Sequence, residues 1–551
     1  MILRKIVGCI LGVGCLSTAY AQKDMVKGWH LLDKAQDGYN GISLEKAYNF
    51  LQDKTAKTVV VAVLDGGVDT THPDLKSKLW KNCKEIADNG RDDDHNGYTD
   101  DVFGWNFLGR PDGTNVEKES AEAARLYHQL RPWLDRNQWD TTCLMLEEPQ
   151  KYELWKKVAK AMDVAHEAEF TLKIVKATAK AANIYDSVLR AEWGTDQYSA
   201  EELENFSPAT PTAKKAKMSY LKFVDLLQLD RDMTNTEMFS ELRGFIEKQT
   251  DLQKAKDSPV VNYRTQITGD DENDWHSRGF GNTDVMGKSS LHGTHVSGII
   301  AADRNNNIGI KGVADNALIM AVRVVPDGDE HDKDVALGIH YAVDNGAKVI
   351  NMSFGKEVSP HKQWVDEAIR YAAAHDVLIV HAAGNESEDL DIKENYPSAR
   401  LNDRSIAPNI ITVGATGDSS LKCGIVADFT NYGEENVDVM APGVKIYSTV
   451  PGGSGYGFQQ GTSMAAPIVS GIAAIIRGYY PSLSANEVKQ VLELSVDTTF
   501  KNQVFTQPGT DKKQKIAFSA LCKTGGIINA YAAVKLAEEM TDNKKKRLVS
   551  K

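Results

Sequence analysis

Short Val- and Ile-rich runs recur along this chain at intervals long enough to hold a crossover helix, and no other feature restricts the fold as tightly. Thr58–Leu64 is one such run, closed by Asp65 and the turn pair Gly66-Gly67. Leu318–Val325, Ala347–Met352, Val377–Val380 and Asn409–Val413 repeat it, and the intervening Val335–Asn345 and Gln363–Ala374 carry helical spacing. A strand that is apolar on both sides needs cover on both faces, which a parallel sheet obtains from its crossover helices. The rhythm therefore predicts an α/β fold, a doubly wound parallel sheet with helices on either side. In such sheets ligands and chemistry gather at the carboxyl ends of the strands, where Asp65 stands.

The chain is 551 residues long, more than one core requires, which predicts several domains or one domain carrying insertions. Between residues 115 and 260 the texture changes to charged, Ala- and Lys-rich sequence with helical periodicity, as in Tyr152–Leu189, broken once at Ser207-Pro208-Ala209-Thr210-Pro211. This segment reads as a helical insertion large enough to fold as a subdomain, which leaves residues 22–114 and 261–535 as a discontinuous α/β domain. Residues 536–551 form a basic tail ending in Lys544-Lys545-Lys546-Arg547 and are expected to be solvated and disordered. At the other end Arg4 and Lys5, the apolar stretch Ile6–Leu16 and Ala19-Tyr20-Ala21 occur in the order of an export signal, predicted to be cut before Gln22. The expected destination is periplasmic or extracellular. A lipoprotein reading through Cys15 fits less well, because Gly12 stands where a larger aliphatic residue is wanted. No later run approaches the roughly 20 apolar residues needed to span a bilayer. The net charge of −12 argues against a nucleic-acid partner, since phosphates reward clustered Lys and Arg. Cys83, Cys143, Cys423 and Cys522 are too scattered to form a disulfide scaffold, and no pairing is assigned.

Attack on an amide by a hydroxyl needs a base within hydrogen-bond reach and a group that orients that base. Three segments carry such residues in order: Val61-Ala62-Val63-Leu64-Asp65-Gly66-Gly67, then His292-Gly293-Thr294-His295-Val296-Ser297-Gly298, then Gly461-Thr462-Ser463-Met464-Ala465-Ala466-Pro467. Each has an ordinary explanation alone, as a strand-end turn, a metal-site fragment and a helix cap. Together they resemble the subtilisin-like serine peptidases, the subtilases, over roughly Trp29–Gly109 and Asn262–Val534. The Asp, His, Ser order is the standing description of that family's triad and is borrowed from it. The resemblance implies a three-layer α/β/α fold and a serine endopeptidase acting on protein or peptide substrates through an acyl-enzyme intermediate. It implies Ser463 as nucleophile, His292 as general base and then acid, and Asp65 as the residue holding the imidazole, with His295 structural.

It further implies Asn385, in Ala382-Ala383-Gly384-Asn385-Glu386, as a donor to the oxyanion together with the backbone N–H of Ser463. Substrate would add as an extended strand along Asn351-Met352-Ser353-Phe354-Gly355. Ser353, Phe354 and Gly355 would form one wall of the primary specificity pocket and Ala382, Ala383 and Gly384 the other, with a broad apolar or aromatic preference as the family default. Two departures from the family stand out. Only about 35 residues separate the predicted cleavage site from the Thr58 strand, where many secreted subtilases carry a longer inhibitory prosegment. The helical insertion falls between the Asp and His segments, which makes it a candidate lid or docking module.

Asp92-Asp93-Asp94-His95-Asn96-Gly97-Tyr98-Thr99-Asp100-Asp101 places oxygen ligands at alternate positions with Gly sixth, the spacing of a loop that wraps a hard cation. Position twelve is Phe103 instead of an acid, so the loop is an imperfect one. Structural calcium is the expected occupant, with Asp92, Asp94, Asn96, the Tyr98 carbonyl and Asp101 as ligands. Two other readings compete. One is a subtilase scaffold that has lost activity and binds partners through the insertion. The other is a metallohydrolase on His292, His295 and the acidic loop, which lacks the His-Glu-x-x-His spacing of zinc proteases.

Overall fold

The structure is a computed structural model that describes residues 26–136 and 148–549, apart from 168, 228, 230, 232, 278–279, 422–423 and 511–513. The expected signal peptide, with Cys15, and the cysteines at 143 and 423 lie outside the described residues. Cys83 and Cys522 are free thiols.

The chain divides into two compact units, one of Lys118–Tyr263 with Asp327–Asp329, the other made of Gln22–Glu117, Arg264–Pro326 and Glu330 onward. The second unit is built on a seven-stranded parallel sheet of β1 (Val59–Asp65), β2 (Gly104–Asn106), β3 (Ala317–Arg323), β4 (Val349–Met352), β5 (Leu378–Ala382), β6 (Ile410–Thr416) and β7 (Val439–Pro442), in the order β2-β3-β1-β4-β5-β6-β7. The five runs read from the sequence are the five central strands. The two edge strands went unread because each is short and carries a residue that reads as a break, Gly104 at the start of β2 and Pro442 at the end of β7. β2 is three residues long, and β7 ends on Pro442, which an edge tolerates because its missing N–H costs no ladder bond.

Ala62, Leu64, Met320, Val322, Ile350, Met352 and Ile379 point to one face, where they pack in a common core with residues of the helices Asp332–Asp344 and Lys362–Ala374. Alternate strand residues such as Val61 and Val63 point the other way and are fully buried. The helices α1 (Leu291–Ala301) and α2 (Thr462–Tyr479) cover that face. Both are made of small and apolar residues because both are buried almost all round. The segment from Trp29 to Leu51 belongs to this unit: Trp29, Ile42 and Leu44 are fully buried, and the Trp29 indole donates to the Lys445 carbonyl at 3.1 Å.

The tail differs from its sequence reading. Residues 530–549 form one helix, with Ala533, Val534 and Ala537 buried and Lys544 paired to Glu487 at 2.7 Å. A sparse apolar stripe is enough for a helix that has a groove to lie in, and the charge run conceals it.

The first unit is helical, with Glu122–Arg136, Pro149–Glu167, Glu169–Trp193, Ala200–Asn205, Pro211–Leu226 and Asn235–Lys254. Val175, Ala182, Leu189, Tyr198, Tyr220, Phe223 and Leu242 give it a core of its own. The Pro-rich break is a helix start, where Thr210 caps the Ala213 N–H and Pro211 takes the first turn, which has no use for its missing N–H.

Candidate active site

β1 ends at Asp65, so the pleat that buries its apolar residues carries the carboxylate to the edge of the sheet, where it is 3% exposed. α1 begins at Leu291 and presents His292 in its first turn. The helix comes this close because position 293 is glycine. A methyl group there would stand 3.0 Å from Cβ of Asp65 and collide with the Gly67 carbonyl. His292 Nδ1 lies 3.0 Å from both oxygens of Asp65, which fixes the ring's orientation and leaves Nε2 as the free edge. Burial works against protonating this imidazole, but the Asp65 charge and hydrogen bond outweigh it and hold the pKa above its ordinary value. His295, one turn on, is fully buried with Nε2 on the Gly457 carbonyl at 3.2 Å, and burial pushes its pKa down to about 3. It is neutral at any physiological pH.

Ser463 is the second residue of α2, where backbone N–H groups have no partner within the helix. Its carbonyl would ordinarily accept from the residue four positions on, but that residue is Pro467. The Oγ of Ser353 supplies the missing bond at 3.0 Å, and the Oγ of Ser463 donates in return to the Ser353 carbonyl, also at 3.0 Å. Behind this pair the buried Ser470 hydroxyl donates to Asn351 Oδ1 at 2.8 Å and Asn351 Nδ2 donates to Ser353 Oγ at 2.9 Å. α2 and the end of β4 are thereby locked together around Ser463. Asn385 Oδ1 accepts from both the backbone N–H and the hydroxyl of Thr462, at 2.9 and 3.0 Å. Its Nδ2 has no acceptor among the described residues. Asn385 Nδ2 and the Ser463 N–H are thus donors without an acceptor among the described residues.

Three side chains that the sequence did not single out organise the neighbouring segments. His381 donates from Nε2 to the Phe354 carbonyl at 2.8 Å, tying β5 to the Ser353–Gly355 segment, and burial pushes its pKa down to about 4. Asn431 accepts from the Glu386 and Glu388 N–H groups at 3.0 and 2.8 Å and donates to the Ala383 carbonyl at 2.9 Å. Asn395 donates to that same carbonyl at 3.0 Å. An Asn in a loop is ordinarily a turn residue, so no local signal distinguishes these two.

In the acidic loop, carboxylate oxygens of Asp92, Asp94 and Glu85 lie within 4.8 Å of one another. Glu85 precedes the motif and was not read as part of it. Asn96 donates from Nδ2 to Asp101 at 3.0 Å, and Asp101 is fully buried, with further bonds from Asn82 at 2.8 Å and the Tyr341 hydroxyl at 2.7 Å. The Tyr98 ring packs edge-on against Trp105, Phe107 and Tyr341. The loop therefore splits into a carboxylate cluster, with Asp92 and Asp94, and an anchor, with Asn96, Tyr98 and Asp101.

Comparison with known proteins agrees with this geometry. The family model of the subtilases matches residues 56–517. The chain is similar to a thermophilic serine proteinase of Bacillus sp. (strain AK1), 40% identical over 207 residues that make up 37% of this chain and 47% of that protein. It is similar to subtilisin NAT of Bacillus subtilis subsp. natto, 39% identical over 232 residues, 41% of this chain and 56% of the relative. It also resembles thermitase of Thermoactinomyces vulgaris, 36% identical over 244 residues, 44% of this chain and 74% of the relative. The matches thus span about half the length of the first two relatives. A parallel sheet delivering Asp65 to His292, a serine in the first turn of a buried helix, and a family match covering most of the chain lead to one assignment: this protein belongs to the subtilase family.

Proposed function

We propose that this chain is an exported serine endopeptidase. The observation that carries the proposal is the Asp65–His292 pair, whose 3.0 Å contacts from Nδ1 leave Nε2 as the free edge of the ring. In the proposed cycle the Ser463 hydroxyl leaves the Ser353 carbonyl, gives its proton to Nε2 of His292 and attacks the scissile carbonyl. The negative charge that develops on oxygen is met by Asn385 Nδ2 and the Ser463 N–H. The imidazolium then protonates the leaving amine, and water, deprotonated by the same nitrogen, releases the acyl group. Asp65 holds the ring and stabilises its charged form throughout. An extended peptide would lie along Ser353–Gly355, with its primary side chain between that segment and Ala382–Gly384.

A fluorophosphonate probe should label the purified protein and fail to label Ser463→Ala. Absence of label on the wild-type protein would favour an inactive binding scaffold instead. Export predicts that the mature chain recovered outside the cytoplasmic membrane begins at Gln22. The helical insertion, by its place between the two motifs, is proposed to restrict which substrates reach Ser463. The three-carboxylate cluster of Glu85, Asp92 and Asp94 fits a hard cation, and we assign it to structural calcium. Such an ion would cancel the mutual repulsion of these carboxylates and stiffen the loop, with no part in the chemistry. Chelator-treated protein should melt several degrees lower and recover on adding calcium. An unchanged melting temperature would remove the ion from the account.

A further inference from the structure

The two segments assigned to the pocket walls do not face open space, because the side chain of Asn395 stands between them. A methyl group on Gly355 would lie 2.8 Å from both Nδ2 and Oδ1 of Asn395 and 3.2 Å from its Cγ, so the whole amide rests against that wall. A methyl group on Gly384, in the opposite wall, would lie 3.2 Å from the same Nδ2. The amide is pinned in place by its 3.0 Å bond to the Ala383 carbonyl. Its backbone is held as well. The next residue, Tyr396, is buried and exchanges both main-chain hydrogen bonds with Lys356, which follows Gly355, at 3.0 and 2.9 Å. One of the two Nδ2 hydrogens is committed to Ala383, and Oδ1 has no donor among the described residues. A second acceptor stands at the same wall. Oε2 of Glu386 is 2.6 Å from where a methyl on Gly384 would sit, and Asn431 holds it there at 2.8 Å.

We infer that Asn395 determines specificity in this cleft, selecting substrates whose residue on the amino side of the scissile bond has a short, hydrogen-bond-donating side chain, serine or threonine, over large apolar and aromatic ones. The inference rests on the peptidase reading above and deepens it. An aromatic ring entering between the walls would have to expel the amide from Ala383, or cover Oδ1 without giving it a donor, and either leaves a buried polar group unmatched. A short side chain leaves the amide where it is. A hydroxyl also supplies the donor that Oδ1 lacks. This departs from the broad apolar or aromatic preference that the family resemblance implies.

The test uses the full-length protein and tetrapeptide nitroanilides that differ only in that residue: Ser, Ala, Leu or Phe. The wild type should cleave the Ser peptide with kcat/KM at least about 30-fold above the Phe peptide. Asn395→Gly and Asn395→Ala should each raise the Phe-to-Ala ratio of kcat/KM by about tenfold or more. Fluorophosphonate labelling of Ser463 and a thermal melt are taken on the same preparations. A wild type that prefers Phe or Leu, or a Ser-to-Phe ratio unchanged in both variants with Ser463 still labelled, would overturn the inference and leave the peptidase reading standing. If neither variant folds, the wild-type ratio alone decides. No cleavage of any peptide and no labelling would overturn the peptidase reading and this inference with it.

Discussion

His292 sits under two opposed influences, burial that disfavours its charge and an Asp65 carboxylate that favours it, and the carboxylate prevails. A base that must be neutral to act therefore titrates above the free imidazole value of about 6.5. We predict an acid limb in kcat/KM with an apparent pKa above that value. In Asp65→Asn the limb should move to lower pH and activity should fall by about 10³–10⁴-fold, measured by peptide cleavage between pH 5 and 9. The same shift has a stability consequence of defined sign. Because the folded pKa is raised, this pair's contribution is complete below the unfolded value and is lost as pH climbs through the folded one. Ser353 offers a second test at this scale. Ser353→Ala removes the side-chain donor to a carbonyl that Pro467 cannot serve, while leaving the backbone carbonyl that receives the Ser463 hydroxyl. The variant should lose about 1–3 kcal/mol of stability in urea unfolding and show a lower kcat at nearly constant KM. A change in KM alone would mean that Ser353 acts only on substrate.

Among the elements, the helix Asp332–Asp344 carries the most charge into the interior. Asp334 in its first turn meets the fully buried Arg264 at 2.6 Å, Arg264 also reaches Asp270 at 2.8 Å, and Lys333 closes the group on Asp270 at 2.7 Å. Such a cluster is tolerable only while every charge is matched. Arg264→Ala leaves two buried carboxylates facing a single lysine. It should cost about 3–5 kcal/mol in denaturant unfolding, whereas replacing Arg264 and Asp334 together with apolar residues of similar volume should cost less. None of this is legible in the sequence, because Arg264 and Asp334 are ordinary charged residues of two separate segments. Asp65, His292 and Ser463 are legible because their neighbours are so constrained: a strand with no polar residue before the Asp, a glycine that lets the helix reach it, and a proline four residues past the Ser.

For the whole molecule, the test is to remove the insertion. Deleting residues 115–260 should raise kcat/KM for folded protein substrates at least about tenfold more than for tetrapeptides if the insertion restricts entry. An equal change for both would leave it without a gating role. The sheet unit has its own core and should fold without the insertion, which a thermal melt of the deleted protein checks. By itself the sequence determined the parallel sheet, the helical character of the insertion and the Asp65 and His292 segments that meet at the sheet edge, because each is written in local pattern: apolar runs, helical periodicity and short motifs with glycine at set positions. It could not reach the edge strands, the helical tail, Glu85 beside Asp92 and Asp94, or Asn395 between Gly355 and Gly384. Those depend on which surfaces meet when segments tens to hundreds of residues apart are packed together. A loop asparagine has the same local signature whether it faces solvent or packs between two strand ends. Only the tertiary structure sets this one against Gly355 and Gly384.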